Sequence, residues 1–305
     1  VLGAELLVRG ASRLAGALGI SPLVIGLTVV AYGTSAPELS VSLQAALAGN
    51  ADIAVANVVG SNIFNVLFIL GACAAIKPLV VSRQLVRLEV PIMIGISVLL
   101  LALSLDGRLG FTDGALLASG VAAYTVWAVR KSRKERTALR AGGAGGRPQA
   151  VRAKKARRLG VQAAVIAMGL ALLILGSRWL VAGAVALAAS MGVSDVVIGL
   201  TIVAGGTSLP EVFTSLMATI RNERDIAIGN VVGSNICNIL LIIGVSSLVT
   251  PGGLNVAPSL LNFDMEVMVA AALACLPIFF KGCAIARWEG WLFLGGYAGP
   301  VLPPK

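Results

Sequence analysis

The 305-residue chain contains no histidine. That absence removes imidazole acid–base chemistry and every His-ligated metal centre. Its four cysteines, Cys73, Cys237, Cys275 and Cys283, form no CxxC pair and lie in or beside apolar runs. They read as small buried hydrophobes. Charge is scarce as well: Asp, Glu, Lys and Arg together make up 12% of the chain, roughly half the usual share in a soluble domain. Hydrophobic residues make up 57%, and the mean hydropathy is +0.93. A soluble protein of this size has too little polar surface to cover so much apolar material. The chain reads as an integral membrane protein, and ten spans of about 20 residues would take roughly 200 of its residues.

The net charge of +10 is concentrated in one place. Twelve of the 24 basic residues fall between Arg130 and Arg158, where Glu135 is the one acid. The centre of this segment, Gly142 to Pro148, is Gly-rich and is expected to be a flexible linker. A basic stretch next to spans marks the cytoplasmic side and suits anionic lipid headgroups. No aromatic residues interleave with it, so nucleic acid is not the expected partner. The apolar runs place helices at about 1–18, 22–48, 52–76, 88–105, 111–130, 160–187, 195–220, 225–249, 262–280 and 286–302. Five precede the basic segment and five follow it. With that segment inside, Lys77, Arg83, Arg87, Arg221, Arg224, Lys281 and Arg287 fall on cytoplasmic turns and Arg108 alone on an external one. The localisation expected is the cell (inner) membrane, multi-pass. Arg178, inside the sixth span, has no explanation in this pattern.

The sequence repeats itself. Residues 19–71 and 192–244 align without a gap at an offset of 173, with 31 of 53 positions identical. The offset covers five helices, an odd number, so the copies enter the membrane in opposite directions. Helix 2 rises to the outside and helix 7 descends. The expected fold class is an all-α integral membrane protein of ten transmembrane helices in two inverted five-helix repeats. Residues 1–130 form the first repeat, 131–159 a basic cytoplasmic linker and 160–305 the second. Inverted repeats characterise secondary transporters, with substrate held at the midplane between the halves. Val1 aligns with Ile174, inside the sixth helix. The first helix is therefore expected to be incomplete, with the natural N-terminus upstream.

Each repeat carries two polar clusters. The first is AYGTSAPE at Ala31–Glu38 and AGGTSLPE at Ala204–Glu211. A Glu at membrane depth costs at least about 2.5–3.5 kcal/mol and is a functional candidate by default. Pro37 and Pro210 lack an N–H and free a carbonyl one turn upstream, near Gly33 and Gly206. Thr34, Ser35, Thr207 and Ser208 add hydroxyls beside the opened turn. The second cluster is NVVGSNIFN at Asn57–Asn65 and NVVGSNICN at Asn230–Asn238. Ser61 with Asn65, and Ser234 with Asn238, are spaced i, i+4 and share a helical face. Gly60 and Gly233 allow a neighbouring helix to approach. Asn62 and Asn235 lie on another face, suited to hydrogen bonds between helices. Small and polar residues in spans also serve plain helix packing, and for Asn57 and Asn230 that reading weighs equally. Carboxylates, hydroxyls and opened carbonyls suit a hard cation. Ca²⁺ takes about six to eight oxygens, whereas Mg²⁺ sheds water reluctantly and soft metals find no ligands here. Glu5, Glu89, Asp264 and Glu266 lie near span ends, in structural or access positions.

These motifs, GTSxPE on helices 2 and 7 and GSNxxN on helices 3 and 8, resemble the α-repeats of the sodium/calcium exchanger family, within the cation/calcium antiporter superfamily. The repeats cover about a third of the chain and the ten-span layout nearly all of it. The resemblance implies a non-enzymatic antiporter that exchanges Ca²⁺ for Na⁺ by alternating access and functions as a monomer without a cofactor. It implies that Glu38, Glu211, Thr34, Ser35, Thr207, Ser208, Ser61, Ser234, Asn65 and Asn238 line the ion sites, with the backbone carbonyls of Ala31 and Ala204. The sequence departs from the family at one place: a characterised archaeal member has Asp where this chain has Asn238. A neutral amide therefore stands at Asn238 where that member has a carboxylate. The short linker has no room for the large Ca²⁺-sensing domains of animal exchangers. A Ca²⁺/H⁺ or other cation/proton antiporter on the same scaffold is the alternative, since protons compete for buried carboxylates. An intramembrane enzyme or passive channel is a further rival. An enzyme needs a nucleophile or acid–base pair outside the repeat symmetry, and none is evident.

Overall fold

The computed structural model describes residues 1–141, 151–191, 204–280 and 284–301. Nearly all of it is helical, as lipid demands: without water to satisfy the backbone, a segment must bond to itself. Helix α1 (Leu2–Leu18) stops at Gly19, whose φ of 73° lets its N–H return to Ala15 O. Helix α2 (Pro22–Thr34) starts with the Ser21 hydroxyl accepting from Val24 N–H and Pro22 in the first turn. It breaks at Ser35, and α3 (Ala36–Leu47) continues at 46° to it. Pro37 is the cause, since it offers no N–H and closes no bond across the join.

A turn leads to α4 (Ala51–Ile76), then to α5 (Leu85–Leu103), α6 (Phe111–Ala141) and α7 (Val151–Ser190). A short helical turn, Ala204–Gly206, precedes α8 (Leu209–Ile220). Next come α9 (Arg224–Val249), α10 (260–280) and α11 (Arg287–Val301). Among the described residues, four helices, α4, α5, α9 and the 159–190 part of α7, are each long and apolar enough to cross a bilayer, and the bent pair α2–α3 makes a fifth such span.

The repeat is visible in local geometry. Ser35 and Ser208, just before the two proline turns, share nearly the same backbone angles (φ −79°, ψ 6° and φ −84°, ψ 4°). Gly49 and Asn222, also 173 apart, both adopt positive φ. α4 and α9 each loosen into a π-helical turn, at Phe64–Leu70 and Asn238–Ile243. Two short antiparallel pairs tie the ends: β1 (Leu79–Val80) with β4 (Ala284–Ile285), and β2 (Arg108–Leu109) with β3 (Leu254–Asn255). α5 alone joins β1 to β2, so the two pairs lie about 28 Å apart at opposite ends of the helices.

The basic segment differs from its sequence reading. α6 runs on to Ala141 and α7 begins at Val151. Helix therefore enters both ends of the stretch expected to be linker, because Ala, Leu, Lys and Arg favour helix and no breaker precedes Gly142. The expected flexible centre, Gly142–Pro148, lies outside the described residues, as do residues 192–203 of the expected seventh helix. Cys73, Cys237 and Cys275 are free and buried, and Cys283 is also outside the described residues.

α9 is the innermost element, with every residue from Ile226 to Cys237 buried. It lies against α2 so closely that a methyl group on Gly233 would stand 2.6 Å from Leu27 Cα and O. α1 and α7 meet in the same manner, where a methyl on Gly3 would lie 2.7 Å from Gly169 O. α7 is otherwise peripheral and mostly exposed.

Gly233→Ala is therefore expected to force α2 away from α9 and to destabilise the protein by ~1–3 kcal/mol. Gly95→Ala, at an exposed site on α5 with no described atom within 4 Å, should be neutral or slightly stabilising. Thermal unfolding in detergent compares the two, and equal midpoints would refute the close α2–α9 approach.

Candidate cation site

The two proline turns bring the repeats together. Because each helix opens just before its Pro, Ser35 and Ser208 face across the centre. The Ser35 hydroxyl donates to Glu211 Oε1 at 3.0 Å, and the Ser208 hydroxyl donates to Glu38 Oε1 at 3.1 Å. Each serine thus holds the carboxylate of the opposite repeat. Ser208 Oγ also lies 3.2 Å from Ser61 Oγ on α4. The Thr34 hydroxyl reaches Asn230 Oδ1 at 3.1 Å. Glu38, Glu211, Thr34, Ser35, Ser208, Ser61, Ser234, Asn65 and Asn238 are all buried. Thr207 is half-buried.

The asparagines interlock with the same reciprocity. Asn65 Nδ2 donates to Asn235 Oδ1, and Asn238 Nδ2 donates to Asn62 Oδ1, both at 3.0 Å. The amide groups of Asn62 and Asn235 each donate to the other's backbone oxygen at 3.4 Å. This is the interhelical role expected of Asn62 and Asn235. It has a consequence for their neighbours. With their N–H groups engaged, Asn65 and Asn238 are oriented by the pair α4–α9, and their carbonyl oxygens are left without a partner.

Among the described residues, five buried oxygens of the expected site have no hydrogen-bond partner: Glu38 Oε2, Glu211 Oε2, Asn65 Oδ1, Asn238 Oδ1 and Ser234 Oγ. An unsatisfied buried polar atom costs ~1–3 kcal/mol, and more when charged. Five such atoms drawn from one sequence motif are a coherent set of lone pairs. Two carboxylates with neutral carbonyl and hydroxyl oxygens match the ligand chemistry of a hard cation. Among the described residues, no group of three or more His, Cys, Asp or Glu side chains comes together, so the charge of this centre is set by its two glutamates.

Ala31 O stands apart from this set. It accepts from Ser35 N–H at 2.9 Å and from the Thr34 hydroxyl at 3.3 Å, which engages both its lone pairs. Ala204 opens the short helical turn before α8.

Sequence reasoning missed the supporting serines and methionines. Asn57 Nδ2 donates to Ser42 Oγ at 2.9 Å and to Glu38 O at 3.4 Å; Asn230 Nδ2 donates to Ser215 Oγ at 2.9 Å and to Glu211 O at 3.5 Å. Asn57 and Asn230 thereby brace the backbone of the two glutamates. Ser42 and Ser215 are identical across the repeat and one turn beyond each Glu, a signal that was available. Met93 and Met268 contact the amides of Asn235 and Asn62 at 3.6 Å. They come from α5 and α10, outside the aligned segments, where no motif marks them.

A family profile described as "Sodium/calcium exchanger protein" matches residues 1–130 and 161–302. The chain belongs to the sodium/calcium exchanger family. It is 40% identical to an antiporter candidate, CaxA of Alkalimonas amylolytica, over 98% of this chain and 93% of that protein. It is 32% identical to the sodium/calcium exchanger MaX1 of Methanosarcina acetivorans, over 97% of this chain and 93% of the relative. Its fold is similar to that of the sodium–calcium exchanger NCX_Mj soaked with 10 mM Na⁺ and zero Ca²⁺. The TM-score is 0.85 at 30% identity, covering 100% of this chain and 94% of that one. This exchanger-family chain is thus a multi-pass membrane protein from a family of transporters rather than enzymes.

The crossed asparagines generate a prediction. Asn235→Ala removes the acceptor of Asn65 Nδ2 and leaves a buried amide unpaired, at a cost of ~1–3 kcal/mol. Stability should fall by about that amount, and cation-dependent stabilisation should weaken with it. Unfolding midpoints with and without Ca²⁺ measure both, and an unchanged Ca²⁺ shift would detach the asparagine pair from the site.

Proposed function

We propose that this chain is a Ca²⁺/Na⁺ antiporter of the cell membrane. In this reading it works by alternating access, with the ions bound between the GTSxPE and GSNxxN motifs of two inverted five-helix repeats. The observation that carries the reading is the reciprocal pair of buried glutamates. Each is tethered by the opposite repeat's serine through one oxygen, and the other oxygen of each has no protein partner. A dehydrated divalent cation supplies the positive charge that two such carboxylates need. Relatives named as sodium/calcium exchangers support the choice of ions. The ligand set proposed is the two glutamates, Ser61, Ser234, Asn65, Asn238 and the Thr-Ser pairs 34–35 and 207–208, with the carbonyls of Ala31 and Ala204 joining if the turns open further. The basic segment faces the cytoplasm, the protein works as a monomer in the bilayer, and no cofactor takes part.

Ca²⁺/H⁺ exchange is the second reading. It is favoured by the neutral amides at Asn65 and Asn238, which leave only two formal negative charges in the centre. Glu38→Gln and Glu211→Gln should each abolish Ca²⁺ transport while the protein stays folded, and Asn57→Ala should be milder. Radiolabelled Ca²⁺ uptake into proteoliposomes, driven by an imposed Na⁺ gradient or by an imposed pH gradient, tests this. Normal transport by Glu38→Gln would overturn the site, and uptake driven by the pH gradient alone would select the proton reading.

Charge counting adds a further expectation. Two carboxylates neutralise one Ca²⁺ or two Na⁺. A third Na⁺ would leave net positive charge in a low dielectric. Exchange of two Na⁺ per Ca²⁺ moves no charge, so the rate should barely respond to membrane potential, whereas a three-for-one cycle carries one charge worth about 2.3 kcal/mol per 100 mV. Valinomycin-clamped vesicles at fixed ion gradients decide it. Strong voltage dependence would show a third positive charge carried despite Asn238. Asn238→Asp should raise Na⁺ cooperativity.

A further inference from the structure

Arg178 is the one charged residue between 159 and 190, in the most apolar long helix of the chain. It lines a cleft of about 380 Å³ between α3, α7 and the start of α8. The cleft walls include Thr207, itself in the proposed ligand set, and Pro37 and Pro210, each next in sequence to a glutamate of the cation site (Glu38 and Glu211). Its other polar walls are Ser40, Gln44 and Ser177. The Ser177 hydroxyl is buried and has no hydrogen-bond partner among the described residues. The cleft therefore joins the neighbourhood of the two glutamates to the exposed Gln44 and Val41.

The repeat shows what is unusual about this arginine. Its equivalent, 173 residues earlier, is Glu5. Glu5 is held in an ion pair with Arg9 one turn on, at 2.5 Å, and with Arg221, which follows α8. These bonds tie α1 to the turn before α9. On the other side of the repeat symmetry the three positions are Arg178, Ala182 and Ala48. The acid has been replaced by a cation, and Ala182 lines the same cleft. Among the described residues Arg178 has no acidic partner. It is exposed rather than packed, so a purely structural role would waste the cost of placing a guanidinium within a span.

The cleft also has a side. It follows α3 toward the turn into α4, which lies at the far end of α4 from Lys77. Lys77, Asn222, Arg221 and Arg287 meet at that other end, where Lys77 bonds to Asn222 and Arg287 to Ile76 O. If that basic end is cytoplasmic, the cleft opens to the outside.

We propose that Arg178 is a specificity-determining residue of the outer access path: a fixed positive charge that selects monovalent over divalent cations approaching the glutamates. The proposal rests on the cation-antiport reading above and adds a residue to it. A fixed potential scales the local concentration of an ion by a Boltzmann factor in its charge. Whatever factor applies to Na⁺ is therefore squared for Ca²⁺. Arg178 weakens external Ca²⁺ entry most, leaves Na⁺ less affected, and so favours Na⁺ loading from outside and Ca²⁺ release there.

The test measures half-saturating Ca²⁺ and Na⁺ on the outer face, using right-side-out vesicles, with everted vesicles for the inner face. Arg178→Gln should lower the outer value for Ca²⁺ about tenfold and for Na⁺ only about threefold, while inner values stay put. Arg178→Lys, which keeps the charge, should retain the wild-type ratio. Gln44→Lys adds a second charge at an exposed position of the same cleft and should shift the ratio the opposite way. That variant keeps the question answerable should Arg178→Gln fail to fold. Equal shifts for both ions, no shift, or loss of the ratio in Arg178→Lys would overturn the electrostatic role. Absence of Ca²⁺ transport in the unmutated protein would overturn the antiport reading and this proposal with it. Transport that is lost in Glu38→Gln but insensitive at Arg178 would leave the antiport reading standing and defeat this one alone.

Discussion

Two carboxylates are buried where water is scarce, and the rest of the molecule is arranged around that cost. Among the described residues, neither Glu38 nor Glu211 is matched by a protein cation. Each is instead given one serine hydroxyl from the opposite repeat and a backbone brace from an asparagine. Hydroxyls and amides stabilise charge only partly, and the second oxygen of each carboxylate has no hydrogen-bond partner among the described residues. A protein arginine at that point would have satisfied the glutamates permanently and removed the reason to bind an ion.

The reciprocity of the contacts follows from the repeat. A residue of one repeat bonds to its counterpart's neighbour in the other, and the reverse bond appears at nearly the same distance: 3.0 and 3.1 Å for the serine–glutamate pairs, 3.0 Å for both asparagine pairs. A cation held there draws ligands equally from both halves. The π-helical turns at Phe64–Leu70 and Asn238–Ile243 adjoin these asparagines, consistent with helices adjusted locally to aim a side chain.

The periphery is where the symmetry lapses. Around α9 the copies are nearly interchangeable, whereas Glu5 and Arg178 occupy equivalent positions with opposite charge. A transporter with two identical vestibules would treat both sides of the membrane alike. The outer helices α1 and α7 thus differ in charge at equivalent positions, while the centre keeps its symmetry.

The sequence by itself determined the class, the membrane setting, the repeat and most of the centre. Apolar runs without charge can only be satisfied as helices in lipid, and a 53-residue repeat marks which Glu, Ser and Asn positions recur in both halves. Glu38, Glu211, Ser35, Ser208, Asn65 and Asn238 were legible for that reason. Tertiary structure alone decided which oxygens are free. Spacing places Asn65 and Asn238 on a helical face, but only the crossing of α4 over α9 consumes their N–H groups and leaves the carbonyls unpartnered. It also engages both lone pairs of Ala31 O, a contact that motif matching cannot see. Met93 and Met268 were illegible because they arrive from α5 and α10, outside the repeated segments. Arg178 was legible only as an anomaly, since a charge within an apolar helix has no meaning until its neighbours across the cleft are known.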